Sequence, residues 1–453
     1  MSFEPYIIFT IIIVFIFAAL LFFYSWNKFE IIIFLFPIST WIASLFYNNV
    51  EEWISEEIAT GPGGYLRGII LMFVGLMGLI KFIRTFPIHK GKIPLHLVFL
   101  FIFLLFSYAS TYYSIDSSTT FIRTTLFTAL FFFLLGLNTW LDSEKKLDSL
   151  LNTLFSVVTF LLVVSFLALF ISPSRVWWWK TPSRFIGLWS HPNELGGFNM
   201  VSYPIIMWKY YKEDSNKKYI ALFVLALNFI IHFLTGSRTS LLASMVGIFI
   251  WFLLQRNWLK LIFMIVFAGL SLFLVTQLSI ANFSRDDGSK LTDLSERGEI
   301  WDGAILLSKE KPILGYGYAV ESKIFANQRI YDLEGTFLNV NAQQPLHNGY
   351  LSIFIGGGSV GLFLWIIIIL IPLITAFFSE YSLFKLYAIT TIIPILISNI
   401  VESAITGYLS ATDIFFWLAW IVAGKLYLLQ PEKDKVQNDD KNFSHRKEIL
   451  QNA

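Results

Sequence analysis

The fold is indicated most directly by residues 150–171, which carry the sequence LLNTLFSVVTFLLVVSFLALFI without a charged side chain. A helix that crosses the hydrocarbon core of a bilayer needs about 20 mostly apolar residues. Comparable apolar stretches recur along the whole chain of 453 residues. The sequence therefore predicts a polytopic membrane protein built from α-helices.

The composition supports this interpretation and excludes several others. Hydrophobic residues make up 56% of the chain and charged residues 14%, with a mean hydropathy of +0.66. Soluble domains are about 45–50% apolar and about 25% charged, so a soluble enzyme and a disordered chain are both excluded. The chain contains no cysteine, which excludes structural disulfides and thiolate chemistry. Its net charge of +2 gives no overall field that would attract nucleic acid.

The apolar stretches predict about thirteen membrane crossings. They lie near residues 5–24, 29–47, 66–83, 94–113, 121–140, 150–171, 194–210, 219–235, 239–254, 261–280, 349–378, 384–401 and 411–429. Because one of the shorter stretches can be miscounted, about 12 crossings is the alternative. The predicted fold is an all-α membrane protein with one large outer loop that contains amphipathic helices.

Lysine and arginine in the short loops predict the orientation, because cytoplasmic loops carry an excess of these residues. The connections 81–93 and 209–218 contain four such residues each, whereas 48–65 and 111–120 contain none. This parity predicts an outer N-terminus and an inner C-terminus in the cytoplasmic (inner) membrane of a bacterium. The longest loop, 281–348, then lies on the extracytoplasmic face.

The same patterns divide the chain into five segments. We predict N-terminal transmembrane helices (1–171), central transmembrane helices with arginine-bearing outer turns (172–280), a large outer loop (281–348), C-terminal transmembrane helices (349–430) and a flexible cytoplasmic tail (431–453). A loop as long as 281–348 is uncommon and tends to be functional.

The arginines on the predicted outer face call for an explanation, because lysine and arginine are usually concentrated in cytoplasmic loops. They are Arg175, Arg184, Arg238, Arg285, Arg297 and Arg329. A guanidinium group binds phosphate oxygens through two parallel hydrogen bonds and stays protonated. Two interpretations remain open: ion pairs with acidic residues of the long loop, or a site for an anionic, phosphorylated ligand at the outer leaflet.

Two segments place arginine and polar residues at predicted helix starts. In the first, Arg184 precedes His191-Pro192-Asn193, and the proline predicts that a helix begins there. His191 and Asn193 then either cap this helix or contact a ligand. In the second, Arg238 lies between two apolar runs with almost no loop, close to amides at a helix N-terminus that favour anions. The alternative for Arg238 is contact with lipid headgroups.

Two further segments lie in and after the long loop. Arg297 precedes Trp301 by one turn in a stretch whose apolar spacing predicts an amphipathic helix along the membrane interface. His347-Asn348 closes the loop, and histidine, with an ordinary pKa of about 6.5, suits a general base. A helix cap or a packing role is the alternative for His347. Gly358 and Gly361, three residues apart, predict the close approach of another helix.

The remaining polar and aromatic candidates are weaker. Trp177-Trp178-Trp179 predicts an aromatic anchor at the membrane interface, although indoles also bind sugar faces. His232 is interpreted as a packed histidine, and Glu402 and Asp413 as solvated residues of an outer turn. No His, Asp or Glu cluster has metal-ligand spacing, so neither a metal nor another cofactor is expected.

The four segments, in this order, resemble the O-antigen ligase and polymerase superfamily (WaaL/Wzy-type membrane glycosyltransferases). The similarity covers roughly residues 180–365 and is carried by His191-Pro192-Asn193, Ser237-Arg238, Arg297 to Trp301, and His347-Asn348 with Gly358 and Gly361. The ligases are usually described with 12 crossings, fewer than the count predicted here.

The resemblance implies transfer of a glycan from an undecaprenyl-diphosphate carrier to an acceptor hydroxyl at the outer face, without a metal. His347 and Asn348 would be catalytic, and the diphosphate would bind Arg238, Arg297 and Arg184. Trp301, His191 and Asn193 would contact the sugar or the acceptor. The implied partners are the lipid-linked donor, a glycan or lipid acceptor, membrane lipid and other polysaccharide-assembly proteins, but no nucleic acid.

Three functions are weighed on this basis. We favour a polymerase that joins lipid-linked repeat units, because no recognisable feature marks a lipid A or protein acceptor site. The alternative is a ligase that transfers a finished glycan. A lipid-linked glycan flippase is less favoured, because transporters bury charges near the middle of the bilayer, whereas the polar residues of interest here gather at the outer ends of helices.

Overall fold

The computed structural model describes residues 28–44, 62–89, 93–178, 184–214, 216–262, 297–321, 323–324, 346–403, 405 and 410–426. Helices of 12 residues or more within these ranges are α1 Glu30–Ser44, α2 Pro62–His89, α3 Leu95–Ser110, α4 Ser117–Trp140, α5 Glu144–Ile171, α6 Pro192–Lys212, α7 Lys217–Thr235, α8 Arg238–Leu254, α9 Arg297–Ser308, α10 Gly349–Phe378, α11 Leu383–Ser398 and α12 Ala411–Lys425. In the described part of the chain, strand-like pairing is confined to one antiparallel bridge between Trp177 and Phe185. The prediction of an all-α polytopic membrane protein is confirmed.

The helix positions agree with the predicted crossings. Among the described residues, five helices are long and apolar enough to span a membrane: Gly64–Thr85, Ser117–Trp140, Glu144–Ile171, Lys217–Thr235 and Gly349–Phe378. Shorter apolar helices occupy four further predicted spans. The predicted spans 5–24 and 261–280 fall outside the described residues, except for the first two residues of the latter. The total of about thirteen crossings therefore stays a prediction.

Helix α12 lies at the centre of the main core. Every residue from 411 to 424 is buried, as expected for a helix that is apolar on nearly all sides. Its Trp417 ring lies 5.7 Å from that of Trp365 in α10 and 5.5 Å from that of Phe127 in α4. These aromatic contacts, worth about 0.5–1.5 kcal/mol each beyond area burial, fix the C-terminal helices against α4.

Helix α10 is interrupted at Gly358, whose φ of 60° and ψ of −162° are non-helical. The backbone groups freed by this break bond to residues 312–317, which we call the plug segment. The hydrogen bonds run from the Tyr316 and Gly317 amides to the Ile355 and Gly356 carbonyls (2.9 Å each), and from the Ser359 and Val360 amides to the Pro312 and Ile313 carbonyls (2.8 and 3.2 Å). Within lipid such groups must be satisfied by protein, and the plug segment does so.

The plug segment corrects one prediction. Gly358 was expected to admit another helix, but it faces the backbone of Ile313 and Leu314 instead. Gly361 does lie against a neighbouring helix, because its nearest side chain is Phe106 of α3. Gly358 therefore allows the plug segment to approach α10 closely, and Gly361 allows α3 to do so.

A second, smaller core joins α9 to α10. The buried side chains of Ile300, Ala304 and Leu307 pack with Leu346 and Ile355. The predicted helix after Arg297 is therefore present, and Ile305 in the same helix is 47% exposed and lies outside its buried face. The spacing of 300, 304 and 307 follows one side of a helix and fixes α9 over the start of α10.

Candidate functional site

The candidate site centres on Glu402, in the turn that follows α11. Its Oε1 accepts hydrogen bonds from Nδ2 of Asn193 at 3.1 Å and from Nη2 of Arg297 at 3.0 Å. Its Oε2 lies 3.2 Å from Nδ1 of His347. The side chain is 21% exposed, so the prediction that Glu402 is a solvated turn residue is wrong.

The charge state of Glu402 follows from these neighbours. Burial by itself raises the pKa of this carboxyl, but the hydrogen bond with His347 and the positive charge of Arg297 outweigh that effect. Together with the remaining contacts they lower the pKa from its ordinary value of 4.5 to about 2. Glu402 is therefore a carboxylate at neutral pH, and it balances the charge of Arg297.

Arg297 connects α9 to the same turn. Its Nη2 donates to Glu402, and its Nη1 donates to the carbonyl oxygen of Val401. The side chain is 14% exposed. One turn along α9, Nε1 of Trp301 donates to the carbonyl oxygen of Leu346 at 2.8 Å. Helix α9 is thus bound both to the turn after α11, through Arg297, and to the residue that precedes His347, through Trp301.

His347 occupies a strained backbone position directly before α10. Its φ of 49° lies in the left-handed region, which non-glycine residues seldom adopt and which recurs at functional sites. In the tautomer that donates its Nδ1 proton to Glu402, the lone pair on Nε2 is the one that can accept a proton. The side chain is 28% exposed, so Nε2 belongs to a partly accessible ring.

Asn348 has a local structural role. Its Oδ1 accepts a hydrogen bond from the Leu351 amide at 3.0 Å, which makes it the N-cap of α10. Such a cap is worth about 1 kcal/mol. Contact of Asn348 with a substrate stays a prediction.

Arg184 joins the site through Asn193. Its Nη2 donates to Oδ1 of Asn193 at 2.6 Å, and its Nε donates to the Thr235 carbonyl oxygen at 2.9 Å. Asn193 therefore bridges Arg184 and Glu402. The preceding His191 caps α6, because its Nδ1 accepts from the Asn193 amide at 3.1 Å. The predicted helix start at Pro192 is confirmed.

Arg238 begins α8 after a tight turn, as the sequence predicts. Gly236 ends α7 with a φ of 59°, and Ser237 is the N-cap of α8. Gly196 of α6 lies against Ser237, so the α8 N-terminus adjoins the helix that carries Asn193. This position agrees with an anion site at the α8 N-terminus, and the role of Arg238 in diphosphate binding stays a prediction.

Two other polar residues are held in the protein interior. His232 is 1% exposed and lies 2.9 Å from Oγ of Ser240, which agrees with a packed histidine. Asp413 is also 1% exposed and accepts a hydrogen bond from Nε1 of Trp417 at 2.8 Å. The prediction that Asp413 is solvated is therefore wrong.

The structure thus brings together four of the predicted site residues around Glu402, which the sequence pattern placed among solvated turn residues. The four are Arg184, Asn193, Arg297 and His347. The only signal for Glu402 was a carboxylate on the same predicted face as the arginines. Within the described ranges, His, Asp and Glu do not gather in groups of three or more that could hold a metal ion.

Comparison with known families finds one match. Residues 221–366 match the family model described as O-antigen ligase. No curated protein matches the chain. The matched range contains Arg238, Arg297, His347 and Asn348, whereas Arg184 and Asn193 precede it and Glu402 follows it. The resemblance drawn from the sequence is confirmed: over residues 221–366 the chain is similar to the O-antigen ligase family.

Proposed function

We propose that this protein is a glycosyltransferase that moves a glycan from an undecaprenyl-diphosphate carrier to an acceptor hydroxyl at the outer face of the cytoplasmic membrane. We propose further that it polymerises polysaccharide repeat units. The observation that supports the chemistry is the single carboxylate of Glu402 between His347 and Arg297. A proton acceptor and a fixed cation are thereby held on one small surface.

The reaction follows from this arrangement. Nε2 of His347 takes the proton of the acceptor hydroxyl, whose oxygen then attacks the anomeric carbon of the donor sugar. The bond from that carbon to the diphosphate oxygen breaks, and its electron pair stays on the leaving diphosphate. Arg297, with Arg238 and Arg184, stabilises the negative charge that develops there. One direct attack inverts the anomeric centre.

Glu402 prepares His347 for this role. A carboxylate that accepts the Nδ1 proton fixes the ring orientation and stabilises the imidazolium that forms during proton transfer. Asn193 ties the same carboxylate to Arg184, so the proposed base and two of the proposed diphosphate ligands share one hydrogen-bonded network. In this proposal the arginines supply the positive charge at the leaving group.

A ligase is the second candidate, because the matching family model is described as O-antigen ligase. The chemistry would be the same, and the acceptor would be lipid A-core or a protein. The two functions differ in what a deletion strain accumulates. Loss of a polymerase leaves single repeat units, whereas loss of a ligase leaves full-length chains on the carrier lipid.

The test of the mechanism is His347→Ala in a strain that lacks the chromosomal gene. We expect transfer to fall by about 10²–10⁴-fold, because general base catalysis contributes that much. The measurement is the length distribution of the surface glycan. His89→Ala is the matched control, since His89 ends α2 at the opposite end of the bundle. A His347→Ala variant with parental glycan would remove His347 from the role of base.

A further inference from the structure

Trp178 is held opposite Arg184 by a short antiparallel pair of chain segments. The Trp178 amide donates to the Arg184 carbonyl oxygen at 2.9 Å, and the Ile186 amide donates to that of Val176 at 2.8 Å. Side chains of directly opposed residues in such a pair lie close together. The backbone alone thus places the indole beside the guanidinium group.

The indole contacts two residues of the candidate site. The guanidinium carbon of Arg184 lies 5.6 Å from the centre of the Trp178 ring, within the range of a cation–π interaction. The ring of His191 meets that of Trp178 at 4.7 Å with an angle of 76°. Trp178 therefore packs against the arginine that binds Asn193 and against the cap of the helix that carries Asn193.

The neighbouring Trp177 points to a different environment. Its ring packs edge-on against Phe185 at 5.5 Å, and the partly buried side chain lies against the main hydrophobic core. Successive side chains of an extended segment point to opposite sides, which explains why only one of the two tryptophans reaches the site. Trp177 is consequently a matched control for Trp178.

The Trp178 indole is positioned by its ring contacts. Its Nε1 is buried without a hydrogen-bond partner among the described residues. A substitution that preserves an aromatic face at this position therefore breaks no hydrogen bond there. A substitution that removes the face leaves Arg184 with its hydrogen bonds to Asn193 and Thr235 but without the ring that restricts its plane.

We propose that Trp178 is a positioning residue that orients the Arg184 guanidinium for the diphosphate of the lipid-linked donor. The inference rests on the proposed function and assigns Trp178 to donor binding. It acts on the donor through Arg184, and it leaves proton transfer by His347 unchanged. Its removal should raise the KM for the donor more than it lowers kcat.

The experiment compares Trp178→Leu, Trp178→Phe and Trp177→Leu in purified full-length protein, with binding of undecaprenyl diphosphate measured in detergent without turnover. A cation–π contact predicts that Trp178→Leu weakens binding about 2- to 30-fold and that Trp178→Phe restores most of the affinity. Trp177→Leu should bind as the parent does. In an Arg184→Ala background, Trp178→Leu should add less than about a twofold effect.

A second experiment changes the electrostatics of the ring at position 178 without changing its packing. Fluorinated tryptophans introduced only at position 178 retain the shape of the ring and weaken its negative face, so the affinity should fall stepwise with fluorine content. Parental affinity in Trp178→Leu, an equal loss in Trp177→Leu, or no dependence on fluorine would overturn this inference alone. A parent protein that fails to bind undecaprenyl diphosphate would overturn the proposed function together with it.

Discussion

Glu402 illustrates how charge is compensated in a poorly hydrated site. The two oxygens of its carboxylate contact Asn193, Arg297 and His347, so all three residues depend on the same group. Removing one member of a buried pair leaves an uncompensated charge, which typically costs about 3–5 kcal/mol. The sequence showed the cations and the histidine through local patterns. It did not show Glu402, because its partners lie 209, 105 and 55 residues away along the chain.

The pH dependence of stability tests this pairing. The folded-state pKa of Glu402 is about 2, below its ordinary value of 4.5. A lowered pKa means that the carboxylate contributes stability above about pH 4.5 and loses that contribution as the pH falls towards the folded-state pKa. Glu402→Gln should therefore unfold at a lower temperature than the parent at pH 7, with a gap that shrinks between about pH 4.5 and 2.5. A gap independent of pH over that range would contradict the pairing.

Arg297 is predicted to be intolerant of lysine. Its planar group donates to Glu402 and to the Val401 carbonyl at once, and an ammonium group cannot reproduce that geometry. We expect Arg297→Lys to reduce glycan transfer about 10-fold or more while the protein is still made and inserted. The matched control is Lys309→Arg, an exposed position at the far end of α9. Parental transfer by Arg297→Lys would contradict the diphosphate role.

The break in α10 positions two segments relative to each other. Residues 312–317 follow α9, which carries Arg297, and the break lies about three turns beyond His347. The helix bounds themselves were predictable from apolar runs: the predicted span 239–254 is found as Arg238–Leu254. The buried face of α9 was not predictable, because it depends on packing against the start of α10 rather than on the spacing of its own apolar residues.

Gly358→Ala tests the break in α10. The φ and ψ of Gly358 are nearly exclusive to glycine, and an added Cβ would meet the backbone of Ile313. We expect the substitution to cost at least about 1–3 kcal/mol, measured as a lower unfolding temperature in detergent. Gly361→Ala is the control and should be milder, because its backbone is helical and its added Cβ would come closest to the Phe106 ring, at 3.3 Å. Equal effects of the two substitutions would argue against a special conformation at Gly358.

For the molecule as a whole, orientation is the property that gives the site its function. The amino-acid sequence predicts the orientation from the placement of lysine and arginine, and the structure gives the relative positions of two of the turns. The candidate site and the α3–α4 turn lie at one end of the helices, because Ile115 in that turn donates to the Tyr316 carbonyl. The lysine-rich α6–α7 turn follows the opposite end of α6, which begins at the site.

Because the chain contains no cysteine, single cysteines can report this orientation. Tyr112, 96% exposed in the α3–α4 turn, and Asp214, fully exposed in the α6–α7 turn, are suitable positions. A membrane-impermeant maleimide added to intact spheroplasts should label Tyr112→Cys and leave Asp214→Cys unlabelled until the membrane is opened. The reverse pattern would place the candidate site in the cytoplasm and exclude the proposed donor chemistry.

The position of Glu402 near the end of the chain has a consequence for biosynthesis. Asn193, Arg297 and His347 all leave the ribosome before the carboxylate that joins them, and that carboxylate comes after α11. During membrane insertion the growing polypeptide therefore holds its base and its cations apart, without the counter-charge that assembles them. A newly made copy should acquire reactivity only when its last helices are in place, and truncated translation products should be inert towards the lipid-linked sugars around them.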